Sequence, residues 1–240
     1  MSNHDKKSIL SKYIFSTDHK VIGKQFLWLG IFFLMFGGFQ AMLIRWSLSN
    51  TLEPLPWWLL GNFLYQSSSA IGPGIIGPDA YNQLFTMHGT IMIFWAITPL
   101  LIGAFGNFCI PLQIGAPDMV FPKLNMISFW VMFLASITLL ASYLLPQGTA
   151  ASGWTSYPPL STPVGGIPGQ GQTLWTLSLT LAGISTLMGA INYITTIVRL
   201  RAPGMGYFKM PLTTWGLFLT SILNAVFVPI IAAGLIILLL

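Results

Sequence analysis

Long apolar segments separated by polar stretches dominate the 240-residue chain. Cutting the sequence at charged residues and at runs rich in proline and glycine leaves five such segments, each near the roughly 20 residues that a helix needs to cross a bilayer. They are Gln25–Ile44, Tyr81–Ile110, Leu124–Leu145, Thr173–Val198 and Pro211–Leu240. The second is long enough to tilt in the bilayer or to extend beyond it. The pattern predicts an all-α, polytopic bundle of transmembrane helices.

Composition and charge support and orient this bundle. Only 6% of the residues are charged, whereas a soluble domain has about 25%. Nine of the ten basic residues lie in the N-terminal tail or in the two loops on the same face, and Arg45 alone lies on the opposite face. The positive-inside rule then predicts a cytoplasmic tail of residues 1–24 in front of a membrane domain of residues 25–240. Because the net charge of +5 reflects this topology, no nucleic-acid partner is expected.

One histidine, His88, lies inside the second apolar segment. An imidazole in hydrocarbon is costly unless its nitrogens find partners, so its presence needs an explanation. The chemistry alone leaves three explanations open: a neutral histidine bonded to a neighbouring helix, a protonation site in a transporter, and an axial ligand of haem iron. At about 1.5 Å per residue, His88 is expected roughly 10 Å below the outer end of its helix.

Other polar residues accompany the apolar segments. Arg45 closes the first segment, roughly level with His88, and is either a snorkelling anchor or a forked donor to a buried cofactor. Asp118 is the only acidic residue of the inner loops, and is either a solvated carboxylate or a proton collector at the mouth of a file of water. Trp154 lies at the membrane boundary, where aromatic side chains commonly anchor a protein. Amides and hydroxyls that could join helices or hold such a file are Asn107, Asn125, Ser185, Thr186 and Asn192.

Several blocks of sequence follow one another in an order known from one protein family. They are STDHKVIG, TMHGTIMIFW, GNFCIPLQIGAPDMVFPKLN followed by SFW, GWTSYPPLS, LAGISTLMGAINYITTI, and RAPGM followed by MPLTTW. Together they resemble subunit I of the haem–copper respiratory oxidases, the family of cytochrome c and quinol oxidases. The blocks cover nearly all of the chain from Ser16 onward, so a chance match is implausible. The chain resembles the first five of the family's roughly twelve helices.

The resemblance implies a role for each candidate residue. His88 matches one of two axial ligands of the low-spin haem, which is expected here to be of the a type. Arg45 matches an arginine that contacts a substituent of that haem, and Trp154 a tryptophan near its propionates. Asp118 matches the entrance of a proton pathway, and the polar positions further along it match Asn107, Asn125, Ser185, Thr186 and Asn192. Phe26 departs from the family, because many members have a tyrosine there near the proton entrance.

Other parts of the family's active centre have no counterpart in this sequence. Apart from His4 the only histidines are His19 and His88, so the copper and the second, high-spin haem are not expected to be ligated by this chain. The chain is therefore expected to be a fragment, or one piece of a split subunit. Ubiquinol-oxidising members carry an arginine, an aspartate, a histidine and a glutamine at positions occupied here by Phe36, Gln40, Ala80 and Gln83. Retention of the glutamine alone favours a cytochrome c-type electron donor.

The resemblance thus predicts the N-terminal portion of the catalytic subunit of a proton-pumping terminal oxidase that reduces oxygen to water. Expected partners are the remaining half of subunit I, oxidase subunits II and III, the electron donor and membrane lipid. The expected location is the bacterial inner membrane, with the mitochondrial inner membrane as the alternative. The competing hypothesis is a small multi-span transporter or scaffold with an intramembrane histidine. A nitric-oxide-reducing relative is disfavoured by Asp118 and its polar followers.

Overall fold

A computed structural model describes residues 13–51, 53–56, 74–162 and 169–239 of the chain. Five helices in this part are long and apolar enough to cross a membrane, and no β-strand occurs among the same residues. In chain order, the first to fifth spans are His19–Ser49, Pro78–Ile114, Pro122–Leu144, Gln170–Arg199 and Leu212–Leu239. The prediction of an all-α, five-span bundle is confirmed.

Capping residues determine where the spans begin and end. The Asp18 carboxylate accepts hydrogen bonds from the backbone N–H groups of Lys20 at 2.7 Å and Val21 at 3.3 Å, which starts the first span. Residues 19–24 of the predicted tail are therefore helical. Gly115 ends the second span in the left-handed conformation, with φ of 73°, and its N–H bonds to the Pro111 carbonyl.

The second span is irregular in its middle. Its α-helical ends, Pro78–Thr90 and Phe105–Ile114, are joined by the π-helical stretches Ile91–Ile97 and Pro99–Ala104, in which each N–H reaches back five residues. Proline has no N–H, so a proline within a helix leaves an upstream carbonyl without its usual donor. In the α-helical inner end, Pro111 frees the carbonyl four residues earlier, that of Asn107.

The first and second spans meet along a glycine seam. The seam consists of Gly23, Gly30 and Gly37, which are spaced by seven residues. A Cβ at each would lie 2.7–2.9 Å from a side chain of the second span, those of Phe108, Leu100 and Met92 respectively. Bulkier residues would therefore force the helices apart. The seven-residue spacing keeps one face of the first span against the second along most of their length.

The core lies among the first four spans. Its largest fully buried side chains, Trp95 and Trp175, each use the indole N–H: Trp95 donates to Ser136 Oγ and Trp175 to Thr90 Oγ1, both at 3.0 Å. The fifth span packs against the fourth, yet only Thr214 and Ser221 among its residues 212–239 are buried. Most of its apolar surface is therefore available to lipid or to other protein segments.

Candidate functional site

His88 is held in one orientation by the first span. The ring is half-buried, and its Nδ1 lies 2.9 Å from the carbonyl oxygen of Gly37. A carbonyl can only accept, so Nδ1 carries the proton and Nε2 of the neutral ring keeps its lone pair. Among the described residues Nε2 has no hydrogen-bond partner. This is the arrangement in which a histidine typically binds a metal, with the second nitrogen fixing the tautomer.

The surface next to His88 has room for a flat apolar group. A Cβ at Gly38, the residue after the His88 partner, would have nothing within 4 Å. Met35 and Met42 lie on the same helical face as Gly38, at i−3 and i+4, and are 65% and 51% exposed. Phe85, one turn before His88, is 54% exposed. A gap in an apolar surface beside an available imidazole nitrogen fits a haem edge.

Arg45 and Trp154 lie differently with respect to His88. Arg45 is exposed and lies eight residues beyond Gly37, about 12 Å further along the helix. The prediction that it is level with His88 is wrong by about two turns, because the 2.9 Å bond between His88 Nδ1 and the Gly37 carbonyl sets His88 beside Gly37. Trp154 is close: a Cβ on Gly89, the neighbour of His88, would lie 3.9 Å from it. Its loop is held there by a 2.9 Å bond from the Gly153 N–H to Thr86 Oγ1.

A cavity of about 780 Å³ lies between the second, fourth and fifth spans and the outer loop. This size is typical of a ligand-binding site. Residues from all four parts line it, among them Phe94, Thr98, Trp154, Trp175, Thr186 and Asn224. His88 is not among its lining residues. The sequence prediction missed this cavity because its wall combines residues of separate spans.

Three buried side chains form a polar cluster near the inner end of the bundle. Asn125 Nδ2 donates to Asn107 Oδ1 at 2.6 Å, and Asn107 Nδ2 donates to the Tyr193 hydroxyl at 2.9 Å and to the Gly103 carbonyl at 2.6 Å. All three side chains are at most 2% exposed. The two asparagines had been predicted as a pair of polar positions. The sequence pattern does not point to Tyr193, because its hydroxyl meets the asparagines only through contacts between spans.

His19 closes this cluster from the first span. Its Nδ1 lies 2.7 Å from the carbonyl of Asn107, the one that Pro111 leaves without a helical donor. The ring is 5% exposed. A buried carbonyl without a partner is costly, so this bond explains why a histidine is buried here.

Asp118 lies in the loop that the fourth span holds in place. Its carboxylate is half-buried and accepts from the Met119 N–H at 2.7 Å. Three residues after Asp118, the Phe121 N–H donates to Asn192 Oδ1 at 3.0 Å. Asn192 Nδ2 and Asn125 Oδ1 are buried without a hydrogen-bond partner in the part of the chain that the structure describes. Such atoms are available to internal water.

A second, small cavity continues beyond the asparagines. Its volume is about 40 Å³, enough for buried water. Its walls include Phe26, Gly103, Ser128, Ser185, Thr186 and Tyr193. The Ser185 hydroxyl donates to the Ser128 carbonyl at 2.7 Å, and the Ser128 hydroxyl to the Asn125 carbonyl at 2.7 Å. Thr98 and Thr186 line both cavities, so polar groups follow one another from the Asp118 loop to the large cavity.

The metal-ligating side chains are scattered. Within the described ranges, no three of the His, Cys, Asp and Glu side chains are grouped closely enough to hold a metal ion. The expectation that the copper ligands come from another polypeptide segment stays a prediction.

Comparison with known proteins identifies the family. Residues 21–240 match the family described as "Cytochrome C and Quinol oxidase polypeptide I". The chain belongs to this family. The resemblance of the sequence blocks to the oxidases is thereby confirmed, and the family assignment favours an oxidase subunit I over the transporter or scaffold alternative.

Curated relatives agree with this oxidase family. The chain is 40% identical over 228 residues to a "Probable cytochrome c oxidase subunit 1-alpha" of Streptomyces coelicolor, covering 95% of the chain and 36% of the relative. It is 41% identical over 232 residues to a "Probable cytochrome c oxidase subunit 1-beta" of Nocardia farcinica, covering 96% and 35%. For the "Cytochrome c oxidase subunit 1" of Thermostichus vulcanus, identity is 40% over 227 residues, covering 95% and 37%. The chain thus spans about a third of the length of these relatives.

Proposed function

We propose that the chain forms the N-terminal portion of the catalytic subunit of a terminal oxidase, with His88 as an axial ligand of its low-spin haem. One observation carries this proposal. The Gly37 carbonyl binds the proton on Nδ1 of His88 and leaves the Nε2 lone pair available beside an open apolar surface. His19 makes the same kind of bond, but its ring is only 5% exposed, whereas His88 is half-buried.

A low-spin haem of the a type at this position would accept and release one electron at a time. The Gly37 carbonyl makes the His88 ring a stronger ligand by hydrogen bonding to its other nitrogen. A Cβ at Gly38, the residue after the Gly37 that bonds the ring, would meet no atom within 4 Å, so this surface has room for the haem. Trp154 is proposed to lie near the propionates, and Arg45 to reach a substituent from the outer end of the first span with its forked donors.

The inner polar groups are proposed to take up protons from the cytoplasm. Asp118 collects protons at the inner loop, and the next hydrogen-bonding groups lie on Asn192, Asn125 and Asn107. Ser185 and Thr186 continue the series beside the small cavity. Support comes from the unpartnered amide atoms of Asn125 and Asn192, which retain capacity for the water that proton transfer along such a series requires.

In the complete enzyme, electrons are proposed to continue to a haem–copper centre at which oxygen is reduced to water and protons are pumped outward. The high-spin haem and the copper are proposed to be ligated by the remaining part of subunit I, with subunits II and III as further partners. A cytochrome c-type donor is proposed because, of the four residues of the ubiquinol site, only the glutamine is retained, at Gln83. The proposed location is the bacterial inner membrane.

The test is the substitution His88→Ala in the complex assembled with the remaining polypeptide. Loss of the low-spin haem absorption band, with the subunits still co-purifying, is the expected result. The matched control is His19→Ala, which also removes an imidazole whose Nδ1 bonds to a carbonyl of the second span. It is expected to keep the band. An unchanged low-spin band in His88→Ala would exclude His88 as the ligand.

A further inference from the structure

The hydroxyl of Tyr193 joins the asparagine cluster to the small cavity. We propose that Tyr193 is a positioning residue for proton uptake, which holds the Asn107 amide in one orientation and supplies the hydroxyl that hydrates the cavity. This inference rests on the proposed proton pathway and deepens it.

The hydrogen bonds around Tyr193 fix which way the neighbouring amide points. The hydroxyl lies 3.0 Å from the Ile102 carbonyl and 3.4 Å from that of Gly103, so it donates toward the π-helical stretch and accepts from Asn107 Nδ2 at 2.9 Å. With Nδ2 bonded to this hydroxyl and to the Gly103 carbonyl, Asn107 must present Oδ1 to Asn125. Both N–H groups of the Asn107 amide thus have an acceptor, one in the Gly103 carbonyl and one in the Tyr193 hydroxyl.

The orientation of Asn107 then determines what Asn125 offers to water. Because Asn125 gives its Nδ2 to Asn107, its Oδ1 points elsewhere, and this atom is buried without a partner among the described residues. An unpartnered amide oxygen in a fully buried side chain is an acceptor for an internal water. Without the Tyr193 hydroxyl, only the bond to the Gly103 carbonyl holds the Asn107 amide in this orientation, so the Asn125 acceptor is fixed less firmly.

Two aromatic rings line the small cavity, and only one carries a hydroxyl. The Tyr193 ring occupies the space next to Gly106, where a Cβ would lie 2.9 Å from it. The Phe26 ring occupies the space next to Gly103, at 2.7 Å by the same measure. Both rings face a cavity of about 40 Å³. A cavity of this size holds water only when several polar partners line it, so the wall formed by Tyr193 is expected to decide its hydration.

The experiment uses Tyr193→Phe in the complete oxidase complex, reconstituted in vesicles. The rate of proton uptake from the inner side during turnover is measured with a pH-sensitive dye, and the haem spectrum is recorded beside it. We expect uptake to slow by roughly five- to tenfold, the factor that corresponds to one lost hydrogen bond, while the low-spin band and the rate of haem reduction stay unchanged. A purely structural role would not separate these readouts.

Two further variants make the result specific. Tyr143→Phe removes another hydroxyl bonded to a buried amide, that of Gln40, at the outer end of the third span, and is expected to leave uptake unchanged. Phe26→Tyr added to Tyr193→Phe returns a hydroxyl to the same cavity but not the bond to Asn107, and is expected to restore part of the rate. If Tyr193→Phe alone fails to assemble, this double variant carries the test, and an assembled double variant that stays as slow as Asp118→Asn overturns the inference.

Asp118→Asn separates this inference from the proposed function. If Asp118→Asn slows uptake and Tyr193→Phe does not, the role of Tyr193 is overturned while the pathway stands. If neither slows uptake, both are overturned.

Discussion

Two histidines of this chain make the same hydrogen bond in opposite surroundings. Nδ1 of His19 and Nδ1 of His88 each bond to a backbone carbonyl of the neighbouring span, at 2.7 and 2.9 Å. The ring of His19 is 5% exposed and serves a carbonyl that Pro111 has freed, whereas His88 lies half-buried next to the open space at Gly38. The same bond therefore completes a packed region in one case and leaves Nε2 of a half-buried ring available in the other.

The contrast extends to the regions around the two rings. The inner region is closed by the chain's own groups: Asn107, Asn125 and Tyr193 bond to one another and are fully buried. The outer region around His88 is open on one side, where apolar side chains of the first span are exposed. The inner region is thus expected to determine the stability of the fold, and the outer one to determine what the fold binds.

The largest expected loss of stability follows from Asn107→Leu. It removes three side-chain hydrogen bonds and leaves the buried Asn125 Nδ2 without its partner, so we expect the free energy of unfolding to fall by about 2–4 kcal/mol. Gln40→Leu is the matched change at the outer end. Gln40 makes one side-chain bond and has an unpartnered Oε1, so its removal is expected to cost less than about 1 kcal/mol. Unfolding in detergent measures both, and equal losses would contradict the contrast.

A smaller effect is expected from adding one methyl group in each region. Gly106→Ala places a Cβ 2.9 Å from the Tyr193 ring and is expected to cost about 1–3 kcal/mol of stability. Gly38→Ala meets no atom within 4 Å and is expected to leave stability unchanged or raise it by up to about 1 kcal/mol, because alanine favours the helix. Gly38→Leu, which fills the space beside His88, is expected to lower the haem content at unchanged stability. Thermal unfolding and haem absorbance check these outcomes, and a destabilised Gly38→Ala would show that the space is not open.

The smallest expected effect is the coupling between His19 and Pro111. Pro111→Ala returns an N–H to the Asn107 carbonyl, so the His19 bond becomes partly redundant. His19→Ala is therefore expected to cost less in the Pro111→Ala background than in the natural chain, by about 0.5–1.5 kcal/mol. A double-mutant cycle of unfolding free energies measures this difference. Additive effects would mean that His19 has another role.

The apolar segments were sufficient to predict the five spans, because crossing a bilayer imposes a length and a composition that are visible in one dimension. The family's sequence blocks pointed to Asn107, Asn125 and Asn192, and the structure places these near the Asp118 loop. The position of Arg45 was misjudged, since only the glycine seam sets how the first two spans align. Tyr193 and both cavities were missed because they depend on contacts between spans that no local pattern encodes.

The middle of the second span shows a further limit of sequence reasoning. The apolar pattern gives no sign of the π-helical stretches Ile91–Ile97 and Pro99–Ala104. They matter for the site because the Ile102 and Gly103 carbonyls, which face the Tyr193 hydroxyl, lie in the second stretch. The sequence shows that Phe26 replaces the family's tyrosine, but only the structure shows that Tyr193 lines the same cavity.

The glycine seam sets a strict limit on insertions and deletions. One residue added between Gly30 and Gly37 would turn the outer half of the first span by about 100° and carry the Gly37 carbonyl away from His88. A larger neighbouring residue such as Phe36 would then face the second span in place of Gly37, so the helices would also separate. The glycine seam therefore determines both the spacing of the first two helices and the orientation of the His88 ring. We expect insertions and deletions to be tolerated in the loops rather than in the seam.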